Sequence, residues 1–491
     1  MKKILCLLAA VSLIAGCGIR KVADEAQADS GSVTDTVLPV TGTFINLAYQ
    51  DVRNLYTNPP QADNTDPAMW EVKIAEMKEM GMEYLVFMAV ANEGRSYYPS
   101  ELMDWQYPKW RKSPVDAIMD AAAKHGMKVF MSTGWAKDQD DNLRDPKIKG
   151  RQIQMMEELA SIYGDHPALY GWYLPVEDCL GPVLSDYAVE AVNSLTARAR
   201  ELTPGKKILI SPYGIFNSDF DDPRYEQQLS RLTVDIIAYQ DEVGCVREPY
   251  PMTRLRNNWK KLRKIHDRTG VQMWANCESF AWSGNTNDRT SALIPASFSR
   301  FLSQMAAASA AGADRIISFI MCGIYDKPSS SYQLGQPQWS AKVYEDYMAW
   351  RSGDPYWKAV EAATAGRLKG GRPAHEDPSD ENWTSYAPGK HEIFMDLGSD
   401  GERGKILLRM LNSHKDGIVP PKMVFLFKSP DGERWTLDQI RQAPVFPNTR
   451  HDTYVDCILF DSLSSDTRYI KFVFESEYKT MTDEVRFIEE T

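Results

Sequence analysis

A (β/α)8 barrel followed by a C-terminal β-sandwich is the fold class this sequence predicts, and three observations carry it. From Thr41 onward, apolar strand-like runs alternate with helical stretches at a spacing of roughly 30–45 residues, eight times over. Gly81, Gly126, Gly205 and Gly270 stand where a helix must stop and the next apolar run begins. Past Arg367-Leu-Lys-Gly-Gly-Arg-Pro373 the period changes to short alternating runs separated by turns such as Pro430-Asp-Gly432.

The N-terminus reads as a targeting segment rather than part of the fold. Lys2 and Lys3 precede an apolar run from Ile4 to Ile14, and Ile14-Ala-Gly-Cys17 resembles a bacterial lipobox. Residues 1–16 are therefore expected to be a signal peptide, with Cys17 acylated. The apolar run is too short to span a bilayer. The expected destination is the bacterial cell envelope, with the chain exported and held to the membrane by an N-terminal lipid anchor. Residues 17–38 are small, polar and acidic and read as a flexible tether.

The barrel is expected over residues 39–366. Its strands are predicted at Thr43–Tyr49, Tyr84–Val90, Lys128–Thr133, Leu169–Leu174, Lys207–Pro212, Val234–Gln240, Val271–Asn276 and Arg315–Ile320. Helices are predicted at Pro67–Met80, Ser113–His125, Lys149–Tyr163, Asp186–Leu202 and Met252–Thr269, with a last helical stretch over Val343–Thr364. A doubly wound open sheet is the competing architecture, but no Gly-rich phosphate loop follows the first strand. The sandwich is expected over residues 374–491, with strands at Lys405–Asn412, Met423–Lys428, Thr453–Phe460, Arg468–Glu475 and Glu484–Ile488. The order Ser429-Pro-Asp-Gly-Glu-Arg-Trp435, Arg468-Tyr-Ile-Lys-Phe472, Asp483-Glu-Val485 resembles that of discoidin-type sandwiches.

A formal charge of −11 over 491 residues, with no basic run, argues against nucleic acid as a partner. The five cysteines beyond the leader (Cys179, Cys245, Cys277, Cys322 and Cys457) are odd in number and lack Cys-x-x-Cys or His pairing, so neither a metal nor a cofactor is expected. Free thiols are the favoured state. Asp138-Gln-Asp-Asp141 lacks the glycine and glutamate of a calcium loop and reads as a solvated turn.

Chemistry is expected where strands four and seven end. Leu169-Tyr-Gly-Trp-Tyr-Leu-Pro-Val-Glu177 and Val271-Gln-Met-Trp-Ala-Asn-Cys-Glu278 are apolar, aromatic strands running into a glutamate. The strand C-termini of a (β/α)8 barrel converge on one face, and two carboxylates there suffice to cleave a glycosidic bond. Alternation places Tyr173 with Glu177 on one face, and Trp274 and Asn276 with Glu278 on another. Tyr239, Gln240 and Asp241 after strand six form a third polar group, in which Asp241 is an alternative carboxylate or a substrate ligand. Trp135 and Tyr213, after strands three and five, are candidates for stacking on a sugar. Tyr97, Tyr98 and Trp282 are loop aromatics of the same kind. A carbohydrate is the expected substrate, and a non-catalytic glycan-binding lipoprotein is the alternative.

His166-Pro-Ala-Leu-Tyr-Gly-Trp-Tyr-Leu-Pro-Val-Glu177 resembles the fourth-strand region of the clan A glycoside hydrolases. More of the chain, from Thr41 to about Asp326, resembles the exported Bacteroides-type family called domain of unknown function 4434. The matching pieces are Thr41-Gly-Thr-Phe44, Met77-Lys-Glu-Met-Gly-Met82, Tyr98-Pro-Ser100, Gly171-Trp-Tyr173, Asp235-Ile-Ile-Ala-Tyr-Gln-Asp241 and Asn276-Cys-Glu-Ser-Phe280. The clan A resemblance implies a retaining glycoside hydrolase with Glu177 as acid/base and Glu278 as nucleophile. Clan A carries Asn before the strand-four glutamate, where Val176 stands here, so the contact to the sugar's 2-hydroxyl is unassigned.

Overall fold

The structure, a computed structural model, describes residues 36–47, 63–108, 110–138, 141–245, 252–283, 293–335, 337–365, 373–399, 404–444, 452–483 and 485–488. The expected signal peptide, Cys17 and the tether up to residue 35 lie outside the described residues, as do residues 139–140 of the acidic turn.

Eight parallel strands close into a barrel in chain order: β1 (Val40–Ile45), β2 (Tyr84–Phe87), β3 (Lys128–Met131), β4 (Leu169–Tyr173), β5 (Lys207–Ile210), β6 (Ile236–Gln240), β7 (Gln272–Glu278) and β8 (Arg315–Phe319). Each falls on or beside the stretch that sequence alternation selects. The first begins three residues earlier than expected because Val40 and Gly42 already pair with β8. The seventh runs two residues further, since Glu278 is still in register with Phe319. Glu278 therefore belongs to a strand rather than to the loop beyond it.

Residues of alternating parity enter two different cores. Ile236, Ala238, Trp274 and Ile317 fill the barrel with Phe44, Tyr84 and Phe130, while Ile237, Tyr239, Met273, Ala275 and Ile316 face the helices. Gly171 makes room for this packing: a Cβ there would lie 2.3 Å from the Lys207 carbonyl and 2.8 Å from the Phe130 ring.

The helices that cover the strands are α1 (Pro67–Glu79), α2 (Pro114–Lys124), α3 (Pro146–Tyr163), α4 (Asp186–Leu202), α5 (Pro223–Arg231), α6 (Met252–Thr269) and α7 (Phe298–Ala310). Most open on a Ser or Asp cap followed by proline, as at Asp66-Pro67, Ser113-Pro114, Asp145-Pro146 and Asp222-Pro223. The helical stretch expected over Val343–Thr364 comprises two helices, α8 (Pro337–Ser352) and α9 (Pro355–Thr364). Gly353 at φ 87° turns the chain left-handed, and Asp354 then caps Tyr356 and Trp357 to start again.

The C-terminal region is a sandwich of two antiparallel sheets. One sheet runs β9 (Thr384–Tyr386), β16 (Thr480–Thr482), β11 (Lys405–Ser413), β14 (Thr453–Phe460), with β17 (Arg486–Ile488) also on β11. The other runs β10 (Gly389–Asp396), β15 (Tyr469–Ser476), β12 (Met423–Ser429), β13 (Thr436–Gln442). Leu408, Met410, Leu426, Phe460, Phe472 and Phe474 fill the space between them. β9, β10, β13 and β16 are additions to the strands read from sequence. β10 has no fully buried residue, and β13 carries Leu437 and Ile440 exposed, so neither presents a clean buried face.

Buried polar contacts tie the sandwich to the barrel. Tyr356 of α9 donates to the Cys457 carbonyl at 2.8 Å, and Arg256 of α6 grips both oxygens of Glu376 at 2.8 and 2.9 Å. Burial alone would raise the Glu376 carboxyl, but the Arg256 charge and hydrogen bonds outweigh it and bring it down to about 2. A cavity of about 340 Å³ opens along this junction.

Candidate functional site

The rim formed by the strand C-termini gathers most of the expected residues. Glu177 stands four residues past β4 and is half-buried. The Tyr173 hydroxyl points at its Oε1 from 3.4 Å. Tyr173 itself lies inside the barrel, edge-on to Phe44 at 5.2 Å, and burial followed by the Glu177 charge holds its phenol protonated. Trp135, of the same apolar cluster, donates its indole N–H to the Pro175 carbonyl at 3.2 Å, steadying the chain that leads to Glu177.

Glu278 is 4% exposed. Its Oε2 accepts the backbone N–H groups of Gly244 and Cys245 at 2.8 and 2.7 Å, so the loop after β6 wraps the carboxyl. Burial, and then the charge of Asp241, push Glu278 up to about 8. Asp241 is 0% exposed and points away from the cleft. It accepts from the Glu278 N–H at 3.1 Å, the Val243 N–H at 3.3 Å and the Gln304 amide at 2.7 Å. Burial raises the Asp241 carboxyl as well, and these donors offset part of that rise, so the two carboxyls compete for a proton and the one without such side-chain amide support, Glu278, is favoured to hold it. Asp241 thus neither reaches a substrate nor replaces Glu278.

Two further candidates are displaced. Tyr239 faces the helices, its hydroxyl bonded to the Tyr225 hydroxyl at 2.5 Å and to His266 Nε2 at 2.8 Å. Trp274 lies low in the barrel against Tyr84 and Phe130, level with Arg315 at the start of β8. Neither can touch a ligand at the mouth. Tyr97 and Tyr98 are also fully buried, and Tyr98 donates to Glu158 at 2.7 Å. Gln240 and Asn276 do point inward, where they meet at Ser211: Gln240 donates to its carbonyl at 2.9 Å and Asn276 to its hydroxyl at 3.2 Å. Tyr213 is 38% exposed and stands among Cys179, Asp178, Glu177 and Glu242; burial and then these groups raise its phenol.

Glu242 is the site residue that sequence reasoning passed over. Its backbone is left-handed, φ 54°, a costly conformation for a non-glycine residue. Its Oε2 accepts the Gly214 N–H at 2.8 Å, and burial, outweighing that bond, pushes its carboxyl up to about 7. The signal was strand parity: Ile236, Ala238 and Gln240 point inward, so Glu242 and not Asp241 continues the inner row. Gln304 and Arg300 of α7, which hold the Glu278 backbone, left no trace in the local pattern. All five described cysteines are free thiols. Among the described residues no three His, Cys, Asp or Glu side chains are placed to hold a metal ion together.

A family model described as "Domain of unknown function (DUF4434)" matches residues 40–332. No curated protein matches the chain. Among solved structures, a candidate alpha-L-fucosidase from Bacteroides thetaiotaomicron is similar at TM-score 0.51 and 19% identity, over 65% of this chain and 95% of that one. A glycoside hydrolase family 5 protein from Bacteroides vulgatus is similar at TM-score 0.41 and 13% identity, over 89% of each chain, which is too distant to argue from. The first likeness concerns the fold alone.

Proposed function

This chain belongs to the DUF4434 family through residues 40–332, and from its barrel rim we propose that it is a glycoside hydrolase working through Glu177 and Glu278. One observation carries the reading: two carboxyls stand at or just past the ends of strands four and seven at the same rim, one enclosed and the other half-buried. Glu278 is raised to about 8 by burial and then by the charge of Asp241, whereas Glu177 is half-buried beside a phenol hydroxyl. Pairs separated in this way supply the acid and the carboxylate that glycoside cleavage needs. The roles are the reverse of those the clan A resemblance implies. Glu278 protonates the glycosidic oxygen while the Glu177 carboxylate attacks the anomeric carbon, and the bonding pair leaves with the protonated oxygen. Glu278, now ionised, then takes a proton from the water that opens the glycosyl ester, so configuration is retained. Retention follows the resemblance to the retaining enzymes.

A panel of aryl glycosides followed by proton NMR tests this. Turnover with the first-formed sugar in the substrate's own anomeric configuration is the expected result. The inverted anomer would overturn the double-displacement course. Absence of turnover across the panel, with glycan still bound, would favour the second reading, a glycan-binding protein; the enclosure of Glu278 by backbone N–H groups is the observation on that side.

Residues 1–17 extend the proposal to location: an exported chain anchored through acylated Cys17 to the outer membrane, on its periplasmic or surface side. Cys17→Ala is expected to abolish incorporation of labelled palmitate and move the protein from the membrane fraction to the soluble one. Unchanged fractionation would remove the anchor from the account.

A further inference from the structure

A buried side chain of the barrel links the sandwich to the main chain of Glu278. Arg300 of α7 is 2% exposed, although nothing in its helix pairs with it. Its Nη2 donates to the carbonyls of Glu278 and Phe280, both at 2.8 Å, and so spans the turn at which β7 ends. Its Nη1 donates at 3.2 Å to Oδ1 of Asp452, which immediately precedes β14 of the sandwich and is itself buried. One helical turn on, Gln304 donates to the same Glu278 carbonyl at 3.0 Å and to Asp241 Oδ2 at 2.7 Å. The main chain of Glu278 is therefore held from behind by α7, and α7's cation is held by the sandwich.

We propose that Asp452 is a positioning residue for Glu278, acting across the domain boundary through Arg300, so that the sandwich forms part of the reaction apparatus rather than a separate binding module. The proposal rests on the glycoside hydrolase reading for its kinetic consequence, but the geometry it describes does not. A buried guanidinium needs a compensating anion and a fixed fork geometry. Asp452 supplies the anion through one N–H, and the Glu278 and Phe280 carbonyls fix the fork; without Asp452 the charge of Arg300 is left facing the Asp241–Glu278 pair alone.

The direction of the effect follows from charge. The groups facing Glu278 are Asp241, Glu242 and Cys245 of the loop after β6, Cys277 beside it in β7, and Arg300 of α7 behind the pair. Removing the Asp452 charge lets Arg300 act undiminished on these carboxyls and favours their ionised forms. The Glu278 proton is then lost at lower pH.

Asp452→Asn is the test, with Asp452→Ser as a second variant that removes the charge and leaves room for water. The alkaline limb of kcat is expected to move down by about one pH unit, with kcat reduced and KM unchanged, and Asp452→Glu is expected to return the limb toward its original position. Thermal melting against pH gives the same reading without turnover. The pH dependence that Glu278→Gln removes is expected to shift downward in Asp452→Asn. Failure of the wild type to turn over any glycoside would sink the hydrolase reading and leave this second measurement standing. A Glu278 titration unmoved in both charge-removing variants, or a change confined to KM, would overturn the proposal.

Discussion

Glu278→Gln is expected to lower turnover of unactivated glycosides by about 10²–10⁴-fold while largely sparing substrates with a strongly acidic phenol as leaving group. The variant keeps the shape of the protonated acid, and its amide oxygen can still accept the Gly244 and Cys245 N–H groups. What it loses is the proton. A leaving group that needs no protonation should not register the loss, whereas Glu177→Gln, which removes the attacking carboxylate, should silence both substrate classes. If activated and unactivated substrates fail together in Glu278→Gln, Glu278 is the nucleophile and the roles revert to those of the clan A resemblance.

The same variant has a consequence for stability, and its sign is fixed by linkage. Folding raises Glu278 from about 4.5 to about 8, so between these values the native state holds a proton that the unfolded chain has released. Stability then falls as pH rises through that window. Glu278→Gln abolishes this component, so the wild type should lose stability relative to the variant between pH 5 and 8, by an amount on the order of a few kcal/mol. Melting curves at pH 5 and pH 9 measure it directly. Parallel behaviour of the two proteins across that range would mean that Glu278 is ionised in the fold.

Gly244→Ala is expected to remove activity as completely as loss of Glu278, without touching a charged group. A Cβ at position 244 would lie 2.4 Å from the Phe280 carbonyl oxygen, 3.1 Å from Glu278 Oε2 and 3.2 Å from Glu278 Cβ. The first is a backbone atom that cannot rotate aside, so the loop must lift. Lifting it breaks the two N–H donors that seat the Glu278 carboxyl and leaves that group buried with its partners gone. Overpacking of this kind costs about 1–3 kcal/mol in stability, and the unseated acid adds the catalytic loss. Turnover and a melting curve on the purified variant check both halves. Wild-type activity in Gly244→Ala would show that the loop does not hold Glu278 in the working enzyme.

The barrel was legible because each of its strands is a short apolar run between a helix stop and a helix start, and local chemistry decides both. Asp145-Pro146 begins α3, and Gly126 at φ 64° ends the turn before β3, wherever those segments lie in space. The placement of the two glutamates at the rim was legible for a related reason: they stand at or just past their strand ends, and strand ends in this fold share one face. The sandwich was legible only where its strands are buried on one side. β10 and β13 escaped because their outward faces carry Phe394, Leu437 and Ile440, which blurs the alternation.

What the sequence determined by itself, then, is the order of elements, the family and the pair of carboxyls delivered to the rim. The enclosure of Glu278 was decided by tertiary structure, because it depends on the loop after β6 and on Asp241, 37 positions away in the chain and 3.1 Å from the Glu278 N–H. The same holds for Tyr239 and Trp274. Both sit in the right stretches, but one turns outward and the other lies at the barrel's base, a matter of strand parity and height that composition does not encode. The contact of Asp452 with Arg300 is the extreme case, spanning 152 positions from barrel to sandwich. A hydrogen bond between residues so far apart leaves no periodicity in either segment, so only the folded chain can disclose it.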